Sequence, residues 1–119
     1  MENKYQFGME GQQYAEKYLT QKGYAIVKRN YYTKVGEIDL IARFGEYIIF
    51  VEVKYRSGTG HGLPREAVGR GKQRKIIKTA MYYIMENNLD DQDFRFDVVE
   101  VLKFGDGVKI EHIVDAFGV

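Results

Sequence analysis

The 119-residue sequence contains no cysteine, no tryptophan, one proline and two histidines. Without cysteine, disulfide bonds, thiolate metal sites and cysteine nucleophiles are excluded. A zinc site is not expected, because zinc favours histidine and cysteine ligands and the two histidines, His61 and His112, are far apart in sequence. Ten tyrosines and seven phenylalanines supply the aromatic content. Carboxylates, amides, hydroxyls and cations therefore carry whatever chemistry the protein performs.

Long apolar segments are also missing. No run approaches the roughly 20 residues that a membrane-spanning helix requires, and the first residues, MENKYQFG, do not resemble a signal peptide. We therefore expect a soluble, cytoplasmic protein without a membrane partner. The length suits one domain with one hydrophobic core, covering residues 1–119.

The net charge of +1 conceals an uneven distribution of charged residues along the chain. Residues 54–78 contain eight basic residues and one acid, whereas residues 86–115 contain nine acids and three basic residues. A basic surface usually binds a polyanion. A chance cluster of solvated lysines explains the charge pattern equally well.

The pattern of apolar residues predicts the element order α-β-β-β-α-β-β. The predicted helices cover residues 7–22 and 72–88, and the predicted strands cover residues 24–32, 36–44, 47–56, 94–102 and 108–114. The glycine-rich segment 57–71 is predicted to be a loop with one helical turn at 66–68. The fold class expected is mixed α/β, with a central mixed sheet flanked by helices. The second helix should bury one stripe: Ile76, Ile77, Ala80, Met81 and Ile84.

The strand at residues 47–56 changes character along one face. Because side chains alternate in a strand, Ile48 and Phe50 share a face with Glu52, Lys54 and Arg56. A solvated face would be polar from its start. The change from apolar to charged residues therefore indicates that the strand passes from the core into a site.

The preceding strand supplies a second acid. A short turn at Gly45 should pair the two strands as an antiparallel hairpin, which places Asp39 opposite Glu52 with Lys54 nearby. Two adjacent carboxylates repel each other, and a divalent cation relieves the repulsion. Oxygen ligands favour Mg²⁺ or Mn²⁺, and such a metal suits hydrolysis of a phosphodiester. A structural ion-pair cluster is the alternative of equal weight.

The spacing of Asp39 and Glu52-Val53-Lys54 resembles the Asp…(Asp/Glu)-x-Lys signature of restriction-endonuclease-like nucleases. A fuller resemblance, to the YraN-like family of small bacterial proteins, extends from about Gly8 to Phe117. It is carried by the segments GEIDLIAR, FVEVKYR, GLPREAV, KQRKIIKTAMYYI, RFDVVEV and DAF. That family is regarded as having a restriction-endonuclease-like core and is similar to archaeal Holliday junction resolvases.

The resemblance implies roles for individual residues. Asp39 and Glu52, with the carbonyl of Val53, would bind Mg²⁺ or Mn²⁺, and Lys54 would be the catalytic lysine. Gln12 departs from the pattern, because the family usually has glutamate there and resolvase-like relatives use that glutamate at the metal site. Glu16 or Glu10 could substitute for it. Glu37 is either an outer ligand of the metal or a strand-edge acid that contacts Lys34 or Arg43.

A phosphate-binding groove could adjoin this site. The candidate residues are Arg56, Arg65, Lys72, Gln73, Arg74 and Lys75, each of which could instead be an ordinary solvated residue. Tyr31, Tyr32 and Tyr55 could stack on exposed bases or belong to the core.

Three functions follow from these patterns. The first is a metal-dependent endonuclease acting on DNA rather than RNA, on branched or otherwise structured DNA, with a homodimer needed to cut two strands. The second is a nucleic-acid-binding module that keeps the nuclease fold but is catalytically weak or inactive. The third is a protein-interaction domain with oppositely charged sides.

Overall fold

The computed structural model describes residues 4–57 and 68–118, and their side chains from Met9 onward. These residues form two helices and five strands in the predicted order. In chain order the elements are α1 (Lys4–Gln21), β1 (Ala25–Tyr32), β2 (Glu37–Phe44), β3 (Tyr47–Ser57), α2 (Arg70–Glu86), β4 (Asp93–Phe104) and β5 (Gly107–Phe117). The predicted mixed α/β class and the α-β-β-β-α-β-β order are confirmed.

The strands form one mixed sheet in the order β1-β2-β3-β4-β5. Neighbouring strands are antiparallel except β3 and β4, which run parallel. The hairpin between β2 and β3 turns at Gly45, whose φ of 60° is in the left-handed region that glycine adopts readily. The parallel pair requires a crossover, and α2 lies within it.

The two faces of the sheet carry separate hydrophobic clusters. On one face, Ile48 and Phe50 of β3 pack against residues of α2. On the other face, Ile49 and Val51 pack against residues of α1. This alternation follows from the pleat of the strand. It places the row that includes Glu52 on the α2 face and assigns each helix to its own side of the sheet.

The close approach of α1 to the sheet depends on one small residue. A Cβ atom added at Gly11 would lie 2.5 Å from the Cβ of Tyr55 in β3. That separation is far below a van der Waals contact, so only glycine allows the helix to approach the strand so closely at this position.

The predicted buried stripe of α2 is wrong at Met81, and Ile77 is only half-buried against the core. Met81 has 36% of its surface exposed, whereas Thr79 is fully buried and its hydroxyl donates a hydrogen bond to the carbonyl of Lys75 at 2.7 Å. A prediction from apolar residues alone does not include Thr79. This polar residue can be buried because the hydrogen bond within the helix satisfies its hydroxyl. Ile76, Ala80 and Ile84 are buried as predicted.

Both helices begin earlier than predicted, at Lys4 and Arg70. Of the predicted helical turn at 66–68, residues 66 and 67 lie outside the described residues, and Val68 is in a bend. Neither α1 nor α2 has the length and apolar character needed to cross a membrane, in the part of the chain that the structure covers.

Candidate active site

The hairpin of β2 and β3 brings the two predicted metal-binding carboxylates together. Leu40 pairs with Val51 in the antiparallel register, so the preceding residue, Asp39, lies beside the following one, Glu52. Asp39 Oδ2 accepts a hydrogen bond from the backbone N–H of Val53 at 2.8 Å. Asp39 is partly buried and Glu52 is 4% exposed. The predicted juxtaposition is therefore present.

Glu52 strongly affects the ionisation of Asp39. Burial, followed by repulsion from Glu52, raises the pKa of Asp39 from 3.8 to about 8. The hydrogen bond from Val53 acts in the opposite direction but is outweighed. A hydrogen bond to Glu52 also raises the pKa of Asp39, which favours the protonated form of the Asp39 carboxyl group. A bound cation would replace that proton in neutralising the pair.

Two lysines surround Glu52. The Nζ of Lys54, two residues further along β3, lies 3.6 Å from Glu52 Oε2. The ammonium of Lys72, in the first turn of α2, forms a closer ion pair with the same oxygen. Glu52 therefore joins the catalytic-lysine candidate on its own strand to the helix that covers this face.

The pKa values of the two lysines are shifted in opposite directions. Burial, aided by repulsion from Lys72, lowers the pKa of Lys54. Burial also acts to lower the pKa of Lys72, but the hydrogen bond and attraction to Glu52 raise it overall. The positive charge beside Glu52 is thus carried more firmly by Lys72, which leaves Lys54 closer to its neutral form than an isolated lysine would be.

Arg56, a predicted phosphate-binding residue, is anchored by Glu100, an acid that is not among the predicted site residues. Its Nε lies 3.2 Å from Oε2 of Glu100, which is 5% exposed. Glu100 pairs with Lys54 across the parallel strands β3 and β4, and it therefore belongs to the same face as Glu52. The sequence feature that could have indicated Glu100 is its position as a single acid in the apolar run VVEVL.

The donor set fits a hard divalent cation. Within residues 4–57 and 68–118, no three side chains of His, Cys, Asp or Glu are grouped so as to hold a metal ion. A cation here would have the carboxylates of Asp39 and Glu52, and the remaining ligands would be a backbone carbonyl such as that of Val53 and water. Oxygen donors of this kind suit Mg²⁺ or Mn²⁺.

The three accessory candidates are placed in different ways. Gln12 is buried on α1, which packs on the opposite face of the sheet from Lys72. Glu16 accepts hydrogen bonds of 3.0 Å from the Nε of Arg29 in β1. Glu37 is exposed, and its charge contributes to the raised pKa of Asp39. Accessory metal binding by these residues stays a prediction.

Glu10 and Arg43 were named above as alternatives for the metal site and for the partner of Glu37, and both contact other side chains. Glu10, the second proposed substitute for a glutamate at position 12, accepts a 2.9 Å hydrogen bond from Lys103. Arg43, a proposed partner of Glu37, donates instead to Gln92 at 2.7 Å.

The remaining basic candidates lie on α2 or beyond the described residues. Gln73 donates through Nε2 to the carbonyl of Val68 at 3.0 Å, which stabilises the start of the helix. Arg74 and Lys75 are exposed on the same helix. Arg65 lies outside the described residues.

A second buried polar network occupies the α1 face of the sheet. Asp97 is fully buried and accepts hydrogen bonds from Nε of Arg95 at 2.9 Å and from the backbone N–H of Asp115 at 3.0 Å. The Nε2 of His112 lies 2.7 Å from the other carboxylate oxygen. Burial raises the pKa of Asp97, but the hydrogen bonds from His112 and Arg95 lower it overall. Each side chain in this network has a partner, which indicates a structural role.

The fold and the carboxylate–lysine cluster together define a mixed α/β protein with a five-stranded mixed sheet, two helices and paired acids on the α2 face. Comparison with known families makes the assignment specific. Residues 11–101 match the family model described as "Uncharacterised protein family UPF0102", and the chain belongs to that family. The predicted YraN-like membership is confirmed.

Individual members of the family are similar in sequence to this protein over nearly its whole length. A UPF0102 protein of Syntrophotalea carbinolica is 46% identical over 112 residues, which cover 94% of this chain and 91% of the relative. The UPF0102 protein TTE1452 of Caldanaerobacter subterraneus is 44% identical over 118 residues, or 97% of each chain. A relative in Syntrophus aciditrophicus is 47% identical over 110 residues, covering 92% of this chain and 87% of its own. These names give a family and state no activity.

Proposed function

We propose that this protein is a metal-dependent endonuclease that hydrolyses phosphodiester bonds in DNA. The observation that carries the proposal is the pairing of Asp39 with Glu52 in a largely buried position beside Lys54. Burying two like charges together is unfavourable unless a proton or a cation neutralises them. Such a pair is more readily explained by a function than by stability.

Asp39, Glu52 and the carbonyl of Val53 would hold the metal, which we propose to be Mg²⁺ or Mn²⁺. The hydrogen bond from Val53 to Asp39 fixes the carboxylate relative to the β3 backbone. When bound, a divalent cation supplies Lewis acidity and neutralises negative charge on a phosphoryl group. The protein's part is to fix the oxygen ligands before the substrate arrives.

Lys54 is the residue that we assign to proton handling at the reacting phosphate. Its ammonium is near Glu52 and its pKa is lowered, chiefly by burial. A lysine of lowered pKa can orient an attacking water by hydrogen bonding and can take up or release a proton at Nζ. As a cation, the same group stabilises negative charge that develops on the phosphate.

The start of α2 is a suitable surface for the DNA backbone. Arg70, Lys72, Arg74 and Lys75 lie in its first two turns, where the first turn carries no acid. The positive end of the helix dipole disfavours cations at such positions. The same end attracts phosphate. This locally unfavourable cluster is consistent with binding to an anion, and Arg56, held by Glu100, extends it onto the sheet.

The substrate that we propose is branched or otherwise structured DNA, preferred over RNA because of the resemblance to junction resolvases. One chain carries one site, so cutting both strands would require a homodimer. We also propose a cytoplasmic location, where a bacterial nuclease meets its DNA.

The experiment is cleavage of a labelled four-way junction and of a linear duplex of the same arms, with Mg²⁺ or Mn²⁺. Asp39→Asn, Glu52→Gln and Lys54→Met should each reduce cutting by a hundredfold or more, an order of magnitude typical for a catalytic group. Glu46→Gln, at an exposed acid in the β2–β3 turn, is the matched control and should cut normally. Equal cutting by all variants would contradict the proposal.

A second candidate is a nucleic-acid-binding module with little catalysis. It is favoured by Gln12, which lacks the charge of the family's usual glutamate, and by Lys72, whose ion pair with Glu52 offsets the charge of that carboxylate. This candidate predicts junction binding that weakens steeply with salt and no cutting by the wild type at any Mn²⁺ concentration.

A further inference from the structure

A cavity beside the β1–β2 connection is not used by the proposed catalytic site. Its volume is about 300 Å³, and it is lined chiefly by Tyr31, Tyr32, Lys34, Val35, Tyr82 and Glu86. Tyr32 is 71% exposed and Tyr82 is 42% exposed. Two tyrosines from different elements, β1 and α2, therefore present their rings at the same opening.

The cavity has a rigid inner wall. The hydroxyl of Tyr31 donates a hydrogen bond to Glu86 of α2. The ring of Tyr31 packs edge-on against Tyr83, with ring centroids 5.3 Å apart. The carbonyl of Gly36 accepts a 2.8 Å hydrogen bond from the N–H of Thr33, which closes the turn at the edge of the cavity. The opening is therefore held between α2 and a closed turn.

The chemistry of the lining indicates the class of ligand. Exposed tyrosine rings stack on the flat faces of nucleobases. Lys34 lies in the lining, and Lys78 precedes Tyr82 by one helical turn, so cations adjoin the rings and suit a phosphate backbone. The carboxylate of Glu86 can accept a hydrogen bond from the exocyclic amine of a base. A volume of this size is at the lower end for ligand sites and suits a single base.

We propose that this cavity, between Tyr32 and Tyr82, binds one unpaired nucleobase of the DNA substrate. The inference rests on the proposed function, and it deepens it by specifying which feature of structured DNA the protein recognises. Lys72, at the catalytic site, and Tyr82 are ten residues apart on α2, a rise of about 15 Å. In a stacked strand that distance corresponds to about four nucleotides. The expected cleavage position is therefore a few nucleotides from the unpaired base.

The test is fluorescence anisotropy in EDTA, which prevents cleavage. It compares a continuous duplex with the same duplex carrying one unpaired nucleotide. The variants are the doubles Tyr32→Ala/Tyr82→Ala and Tyr32→Phe/Tyr82→Phe. Because both tyrosines are exposed, neither variant should disturb folding. Tyr47→Ala, at a 43% exposed tyrosine where β3 begins, is the matched control.

We expect the wild type to bind the bulged duplex about tenfold more tightly than the continuous one, as stacking of one base on aromatic side chains allows. The double alanine variant should lose this preference, whereas the double phenylalanine variant and Tyr47→Ala should keep it. A wild type without preference, or a double alanine variant that retains it, overturns the inference. Failure of the nuclease proposal is read separately, as absence of Mn²⁺-dependent cutting by the wild type.

Discussion

Replacement of Lys72 by alanine should strengthen metal binding, although it removes a residue next to the site. The Lys72 ammonium forms an ion pair with Glu52 Oε2, one of the oxygens that we assign to the metal. A cation must displace this ammonium to reach that oxygen. Lys72 therefore acts as an internal counter-ion that competes with the metal.

The size of the effect follows from the burial of the two partners. A hydrogen bond to a charged group contributes about 1.5–3 kcal/mol. Because the Lys72 side chain is 49% exposed while that of Glu52 is only 4% exposed, solvent screening places the value near the lower end. Removing a competing interaction of about 1.4 kcal/mol corresponds to a tenfold gain in Mn²⁺ affinity. Loss of repulsion between the lysine and the cation acts in the same direction.

The assay is calorimetric titration of Mn²⁺ into wild type, Lys72→Ala and Lys75→Ala at one pH. Lys75→Ala changes the net charge equally, but Lys75 is an exposed residue whose Cβ and carbonyl face Gly36. It should bind Mn²⁺ as the wild type does. Unchanged or weaker Mn²⁺ binding by Lys72→Ala would refute the idea that this lysine competes with the metal.

Three further predictions concern stability. The pKa of Asp39 is raised from 3.8 to about 8, so the folded state holds a proton that the unfolded chain releases. In urea unfolding without metal, the free energy of unfolding of the wild type, relative to that of Asp39→Asn, should therefore fall as the pH rises from about 4 to about 8. A rise over this pH range would contradict a raised pKa of Asp39. Asp97→Asn should lower the free energy of unfolding by about 3 kcal/mol, because Arg95 and His112 lose the buried acid that they contact. Its Mn²⁺ affinity should be unchanged. A loss of stability below about 1 kcal/mol would argue against a structural role for this network. Gly11→Ala should destabilise the protein by about 1–3 kcal/mol, because the added Cβ clashes with Tyr55. Gly71→Ala, which has open space around it in α2, should instead stabilise the protein by about 0.5–1 kcal/mol. Thermal unfolding measures both effects, and equal effects would contradict the packing of α1 against Tyr55.

The local features of the site were predictable from the sequence because they depend on a short connection. The two-residue turn after Phe44 fixes the β2–β3 register, and alternation then determines which side chains share a face with Glu52. The juxtaposition of Asp39 and Glu52 needs no other information. The element order was predictable for the same reason, since each helix and strand has its own apolar period and turn residues.

The contacts across the parallel pair were not predictable in this way. The register of β4 on β3 is set by a crossover that includes α2 and the glycine-rich segment before it, and no local pattern determines its length in space. Consequently neither the position of Glu100 beside Arg56 nor the ion pair of Lys72 with Glu52 could be derived from spacing. The pairing of Glu16 with Arg29 depends likewise on how α1 lies across β1.

Calorimetric titration of Mn²⁺ into the wild type, Asp39→Asn and Glu52→Gln is the most direct test of whether these two carboxylates bind a metal ion. The wild type should bind Mn²⁺ at one site, and each variant should lose this site or bind at least tenfold more weakly, because each substitution removes one of the two charged ligands. Glu46→Gln should bind as the wild type does. Absence of binding to the wild type, or binding that survives both substitutions, would show that Asp39 and Glu52 are not a metal site.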